Sequence, residues 1–201
     1  MKPALLTSTY NSQQDRQTFL GLMKPLADLR VRVFREYPYL YQGTAEAEEK
    51  YLQPYLDSTA GFLVTVRDGE HIVGASTALP LVDADTPFQD AFTQHNHDPS
   101  TVFYFGESVL LPDYRGRGTG HTFFAERENF ARQQGFRKTA FCAVVRPDNH
   151  PRRPALYHEL APFWTSRGYR KQDGLICHYY WLETGHTEET AHEMQFWLKT
   201  L

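Results

Sequence analysis

The sequence predicts one α/β domain covering residues 1–201, in which strands and helices alternate around a shared core. Three observations carry this prediction. Apolar residues recur at helical spacing over Gln13–Glu36, and His121–Gln134 also reads as a helix. Two β-rich runs, Gly61–Arg67 and His71–Leu79, meet at Asp68-Gly69, a dipeptide suited to a tight hairpin turn. A further apolar run, Thr101–Leu111, leads directly into a glycine-rich segment and the second of those helices. With 201 residues, 41% hydrophobic and 22% charged, the chain is long enough and apolar enough to bury a sizeable single core.

A short apolar run from Ala4 to Thr9 predicts the first strand. In Gln13–Glu36, Phe19, Leu22, Met23, Leu26, Leu29, Val33 and Phe34 make an apolar stripe, and Pro25 within it is expected to split or kink the helix. Tyr37-Pro38-Tyr39-Leu40-Tyr41 then forms an aromatic loop. Thr44 offers an N-cap for a helix over Ala45–Leu56, whose Glu-rich first turn complements the helix dipole. After the hairpin, the polar stretch Leu81–Ser100 holds a short helix near Thr86–Gln94. Gly135 ends the helix over His121–Gln134, and Lys138–Val145 is a strand. The proline-rich segment Arg146–Pro154 leads into a short helix over Ala155–Arg167, stopped by Gly168. Tyr169–Glu183 supplies one or two strands, and Glu188–Leu198 reads as a terminal helix.

Composition narrows the partners. A net charge of −3 lacks the basic excess of nucleic-acid binders. No stretch approaches the ~20 apolar residues of a membrane helix, and the polar turn at Thr7 leaves no signal-peptide core, so a cytoplasmic address is expected. Cys142 and Cys177 form no Cys-x-x-Cys pair and read as buried strand residues. Neither His95-Asn96-His97-Asp98 nor the group His186, Glu188, Glu189 and His192 has a recognised ligand spacing, so no metal is expected. The 14 Phe, 12 Tyr and 3 Trp suit a chain with a lined pocket.

The most informative segment is Leu110-Leu111-Pro112-Asp113-Tyr114-Arg115-Gly116-Arg117-Gly118-Thr119-Gly120-His121. Glycines at a strand–helix junction let backbone approach a ligand closely, and successive N–H groups at a helix N-terminus bind phosphate oxygens. Arg115 and Arg117 add positive charge there. Gly120-His121-Thr122 lacks the Gly-Lys-Ser/Thr of a Walker A loop. The alternating Gly116, Gly118 and Gly120 do not fit the Gly-x-Gly-x-x-Gly dinucleotide pattern. Coenzyme A is the better fit.

Arg115 followed by Gly118 and Gly120 resembles the Gln/Arg-x-x-Gly-x-Gly/Ala signature of the GNAT superfamily of acyl-CoA-dependent N-acyltransferases. Pro112-Asp113-Tyr114 is similar to the Pro-Glu-Tyr that leads into it, and Phe163-Trp164-Thr165-Ser166-Arg167-Gly168-Tyr169 to the family's Leu-Tyr-Glu-Lys-x-Gly-Phe segment. The order of elements from Ala4 to Glu183 also matches. The resemblance implies a mixed, mostly antiparallel sheet, flanked by helices and splayed at an acetyl-CoA cleft. It also implies backbone contacts to pantetheine from Val109, Leu110 and Leu111, and to pyrophosphate from Arg115, Gly116, Arg117, Gly118, Thr119 and Gly120.

Transfer of an acetyl group to an amine requires a neutral amine, a polarised carbonyl and a protonated leaving thiolate. Glu107 interrupts an apolar strand and is the expected base, since burial would raise its pKa. Gly106 beside it marks a bulge that would change which side chains face the cleft, so Tyr104 is the second candidate. Trp164 stands where the family often carries a tyrosine acid, leaving Tyr157 as a substitute donor. Tyr37, Tyr39 and Tyr41 are expected to wall the acceptor. The implied activity is direct acetyl transfer from acetyl-CoA to a primary amine of a small molecule or peptide. The alternative is a catalytically silent acyl-CoA-binding regulator. Neither nucleic acid nor membrane is an expected partner, and a homodimer is left open.

Overall fold

Side chains that alternate along the strands build two cores, one on each face of the sheet. In the computed structural model, which describes residues 5–201, the strands are β1 (Leu6–Asn11), β2 (Phe62–Asp68), β3 (His71–Pro80), β4 (Val102–Leu110), β5 (Lys138–Val144), β6 (Arg170–Leu182) and β7 (Glu189–Thr200). Ala4, the expected start of β1, lies outside the described residues. The seven strands form one sheet in the order β1-β2-β3-β4-β5-β7-β6. Every neighbouring pair is antiparallel except β4–β5. On one face pack α1 (Arg16–Phe34), α2 (Ala45–Asp57) and α3 (Thr86–Gln94), covering Leu63, Tyr104, Ala140, Cys142 and Phe196. On the other, α4 (Thr119–Gln133) and α5 (Ala161–Ser166) cover Val64, Phe103, Phe105, Phe141 and Trp197. The mixed, mostly antiparallel sheet flanked by helices is the architecture that the family resemblance implied.

Local chemistry explains most boundaries. Thr44 caps α2 by accepting a hydrogen bond from the Ala47 N–H at 3.2 Å. Gly69, at φ 57°, turns the β2–β3 hairpin, and α3 occupies Thr86–Gln94 as expected. Both cysteines are buried, in β5 and β6, and form no disulfide.

Three expectations are corrected. Of the two outcomes expected at Pro25, division into two helices is overturned, since α1 runs from Arg16 to Phe34 with Pro25 inside it. Pro25 and Gly21, whose carbonyl loses its helical donor, both lie on the exposed side, where water can replace the bond while the buried stripe continues. The helix over Ala155–Arg167 shrinks to Ala161–Ser166. Pro162 sits in the first turn, where its missing N–H costs nothing, and Leu156, at 86% exposed, gives an earlier turn no apolar face to bury. Glu188–Leu198 is no helix: β7 occupies it, inserted between β5 and β6. Hydrogen bonding to two neighbours and burial of Met194, Phe196 and Trp197 override the local helical preference.

The sheet opens at its centre. β4 and β5 pair only from Val102↔Lys138 to Tyr104↔Ala140. Beyond that point β4 continues to Leu110 and β5 to Val144 with no pairing between them. The two strands therefore present unshared backbone edges across a cleft.

Candidate active site

The floor of that cleft is shaped by a β-bulge. Opposite β3, the register runs Ser76↔Ser108 and then Ala78↔Phe105, so Gly106 and Glu107 together face Thr77. One extra residue in β4 reverses the side-chain alternation beyond it. Tyr104 and Glu107 consequently point to the same face, toward α1 and α2, whereas regular alternation would place them on opposite faces. Gly106 is required: a Cβ there would collide with the Tyr55 hydroxyl and Thr77 Oγ1. Arg127 of α4 braces the bulge from behind. Its guanidinium donates to Thr77 O at 3.2 Å, Glu107 O at 3.3 Å and Ser108 Oγ at 2.8 Å, while Nε donates to Phe123 O. Burial pulls its pKa down to about 10, so it stays a cation at neutral pH.

Glu107 is buried and meets Arg30 of α1, whose Nη1 lies 2.5 Å from Glu107 Oε2. Nε of the same guanidinium donates to Glu48 of α2. The side chains of Arg30, Glu48 and Glu107 are only 6%, 2% and 1% exposed, so one cation serves two buried carboxylates. Burial raises the Glu107 pKa, and Arg30 offsets only part of that rise. Arg30 is itself held charged, because Glu107 and Glu48 together outweigh its desolvation. Apart from the Arg30 ion pair, neither carboxylate oxygen of Glu107 has a well-aligned hydrogen-bond partner among the described residues, although the Thr77 side chain lies close enough to steady the charge.

These groups border a cavity of about 190 Å³ between α1, α2, α3 and the sheet. Tyr39, Tyr41, Tyr51, Phe88, Tyr179 and Trp181 supply its aromatic wall, and Tyr104, Gly106, Glu107 and Cys142 its end at the strand opening. The Tyr104 hydroxyl lies 3.2 Å from Cys142 Sγ, across the point where β4 and β5 part. Burial raises the Tyr104 pKa well above its ordinary value and keeps the hydroxyl protonated. The Tyr37–Tyr41 loop is tied down by Arg146, which donates to Pro38 O at 2.7 Å and Tyr39 O at 3.0 Å and pairs with buried Glu183.

Past the outer end of β4, the chain turns through a short 3-10 segment at Pro112–Tyr114 into the glycine run. Gly116 and Gly118 adopt φ 72° and 84°, conformations that favour glycine. The N–H groups of residues 116–120 donate to no acceptor among the described residues. They form an array at the N-terminus of α4 suited to a diphosphate. Arg115 turns back from this array, donating to Leu110 O and pairing with Glu36 at 3.0 Å. Arg117 donates to Asp113 O and stacks over Tyr114. Val109 is fully buried, Leu110 and Leu111 are partly exposed, and the Leu111 N–H is committed to Val73 O.

The structure thus gathers Glu107, Tyr104, Tyr39 and Tyr41 around one cavity. Tyr37 and Tyr157 stand apart from its wall, packed edge-to-face at 4.7 Å. Trp164 packs on Phe141 and Trp197 in the core beneath α5 and does not line the cavity. Sequence reasoning missed Arg30 and Glu48. Both carried a signal, since each places a charge on the buried stripe of its helix, among Leu26 and Leu29 in one case and Leu52 and Tyr55 in the other. Among the described residues no three His, Cys, Asp or Glu side chains converge as metal ligands, and no helix is long and apolar enough to cross a membrane.

The model of the acetyltransferase (GNAT) family matches residues 26–161. No curated protein matches the chain in sequence. Among solved structures, the ribosomal-protein-alanine N-acetyltransferase of Brucella melitensis is similar at TM-score 0.62 and 12% identity, covering 98% of this chain and 99% of its own. A GNAT family acetyltransferase from Streptococcus pneumoniae gives 0.59 at 13% identity, covering 98% and 100%. One from Elizabethkingia anophelis with acetyl-CoA bound gives 0.53 at 13% identity, covering 98% of each chain. At these identities the structural likeness speaks to the fold alone.

Proposed function

The chain belongs to the acetyltransferase (GNAT) family, and from that premise we propose that it moves an acetyl group from acetyl-CoA directly to a primary amine. The observation that carries this reading is the alignment of three features along one cleft. These are the free amides of residues 116–120, the unpaired edges of β4 and β5, and Glu107 beside an aromatic-walled cavity. Acetyl-CoA, when bound, supplies a thioester already activated toward an amine.

The residues divide the work. Backbone N–H groups from Gly116 to Gly120 hold the diphosphate, and the edge of β4 through Val109, Leu110 and Leu111 aligns the pantetheine arm. Glu107 Oε1 takes a proton from the acceptor ammonium. The neutral nitrogen then attacks the thioester carbonyl carbon, forming a C–N bond as the C–S bond breaks. The departing thiolate takes a proton from the Tyr104 hydroxyl at the strand opening, and the second proton, shed by the nitrogen as it becomes an amide, restores the one Tyr104 gave up. Tyr39 and Tyr41 confine the acceptor, and Tyr37 and Tyr157 shape the loop that carries them. One domain spanning residues 1–201 performs the reaction with no metal. The supply of acetyl-CoA inside cells is the argument for a cytoplasmic address.

Thiol release from acetyl-CoA across a panel of amines tests this. Turnover that falls about 10²–10⁴-fold in Glu107→Gln, the usual worth of a general base, supports the reading. Tight acetyl-CoA binding with no turnover for any amine would favour a catalytically silent regulator instead.

A further inference from the structure

We infer that the acceptor is a compact monoamine with an apolar or aromatic body and no carboxylate, selected by the charge of the Glu48–Arg30–Glu107 group. This inference rests on the acetyl-transfer reading above and narrows it.

Charge comes first. Glu48 and Glu107 bring two carboxylates to the cavity and Arg30 one guanidinium, so the buried group carries a formal charge of −1. A single ammonium balances it. The aromatic faces of Tyr39, Tyr41, Tyr51 and Trp181 add attraction for a cation and for an apolar body alike.

Among the described residues, each cation named near this wall is already paired, so a carboxylate on the acceptor would find no free counter-charge. Arg30 is committed to Glu48 and Glu107. Arg146 and Arg152 both pair with Glu183, at 2.8 and 3.2 Å. Arg153 pairs with Asp148 and Glu159, at 3.3 and 2.8 Å. Asp85, which accepts from the Tyr179 hydroxyl at 2.5 Å, and Glu189 near Tyr41 would both repel an anion, and His192, stacked on Trp181, lies beside Glu183. Free amino acids are therefore disfavoured by an unpaired buried charge. Size acts in the same direction. A cavity of about 190 Å³ is smaller than the roughly 300–1,000 Å³ of sites for drug-sized ligands.

Three acceptors sharing one aromatic body test the inference: 2-phenylethylamine, phenylalanine and phenylalaninamide, each with saturating acetyl-CoA. The expected order of kcat/KM places 2-phenylethylamine first, with phenylalanine lower by at least about 100-fold and the amide between them. Glu48→Gln keeps size while removing one charge. It is expected to raise KM for 2-phenylethylamine about tenfold and narrow its advantage over phenylalanine, with KM for acetyl-CoA unchanged. Should that variant not fold, the wild-type comparison decides alone. Phenylalanine turned over as well as 2-phenylethylamine, an unchanged KM in folded Glu48→Gln, or no turnover of any of the three by protein that binds acetyl-CoA would overturn the inference. All of these leave the acetyl-transfer reading standing; failure to bind acetyl-CoA would overturn that reading itself.

Discussion

Replacing Arg30 with methionine removes the cation that pairs with two carboxylates whose side chains are 2% and 1% exposed. Stranding a buried charge in this way typically costs about 3–5 kcal/mol. A second route gives the same scale. The cheapest relief is for the carboxylate pair to take up a proton, which costs about 1.4 kcal/mol for each pH unit above the ordinary glutamate value near 4.3. That amounts to about 4 kcal/mol at pH 7 and about 1 kcal/mol at pH 5. The variant holds a proton that the unfolded chain has released, so its stability falls as pH rises between these values. Urea unfolding of wild type and Arg30→Met at both pH values is the assay. The expected loss is about 4 kcal/mol at pH 7, shrinking by about 3 kcal/mol at pH 5. Adding Glu48→Gln and Glu107→Gln to Arg30→Met should recover most of it. An equal loss at both pH values would show that Arg30 matters through packing, and a loss below about 1 kcal/mol at pH 7 would show that the carboxylates are not truly desolvated.

Two further outcomes follow from the same site. Because burial raises the Glu107 pKa, the native state keeps that proton to higher pH than the unfolded chain does. Wild-type stability relative to Glu107→Gln should therefore decline as pH rises from about 4.3 through the raised value. At pH 7 the inactive variant should melt at or above wild type, and a clear loss there, in a calorimetric scan, would contradict the burial penalty. Arg127→Lys keeps a charge but cannot reach Thr77 O, Glu107 O and Ser108 Oγ together. It should lose about 2 kcal/mol and lower kcat more than it changes KM for acetyl-CoA, which steady-state kinetics would read directly.

How much of this was legible in the chain depended on whether the signal was local. Thr44, Asp68-Gly69 and Gly135 mark boundaries through their own backbone chemistry, and those boundaries held. The glycine run was readable for the same reason. β7 was not, because residues 188–198 become a strand only when β5 and β6 flank them, and no local preference encodes a neighbour. Pro25 did not break α1 in two, since the cost of a proline depends on which side of the helix meets water. The site itself was half visible. Glu107 stood out as a charge in an apolar strand, but the face it occupies is set by one extra residue at Gly106–Glu107. Arg30 and Glu48 lie on separate helices, each an oddity within its own stripe. Only folding shows that they answer one another.

A thermal-shift titration with acetyl-CoA, run on wild type and on Gly118→Glu, addresses the proposed cofactor site most directly. Gly118 sits at φ 84° among the free amides, and a carboxylate there would oppose the diphosphate. Ligand at about 100 times its dissociation constant adds about 2.7 kcal/mol to the folded state, or roughly 5–10 °C in melting temperature for a chain of this size. A rise of that order in wild type, abolished in a variant that still melts cooperatively, is the predicted result. No rise at millimolar acetyl-CoA, or an equal rise in both proteins, would contradict the assignment of the glycine turn as the diphosphate site.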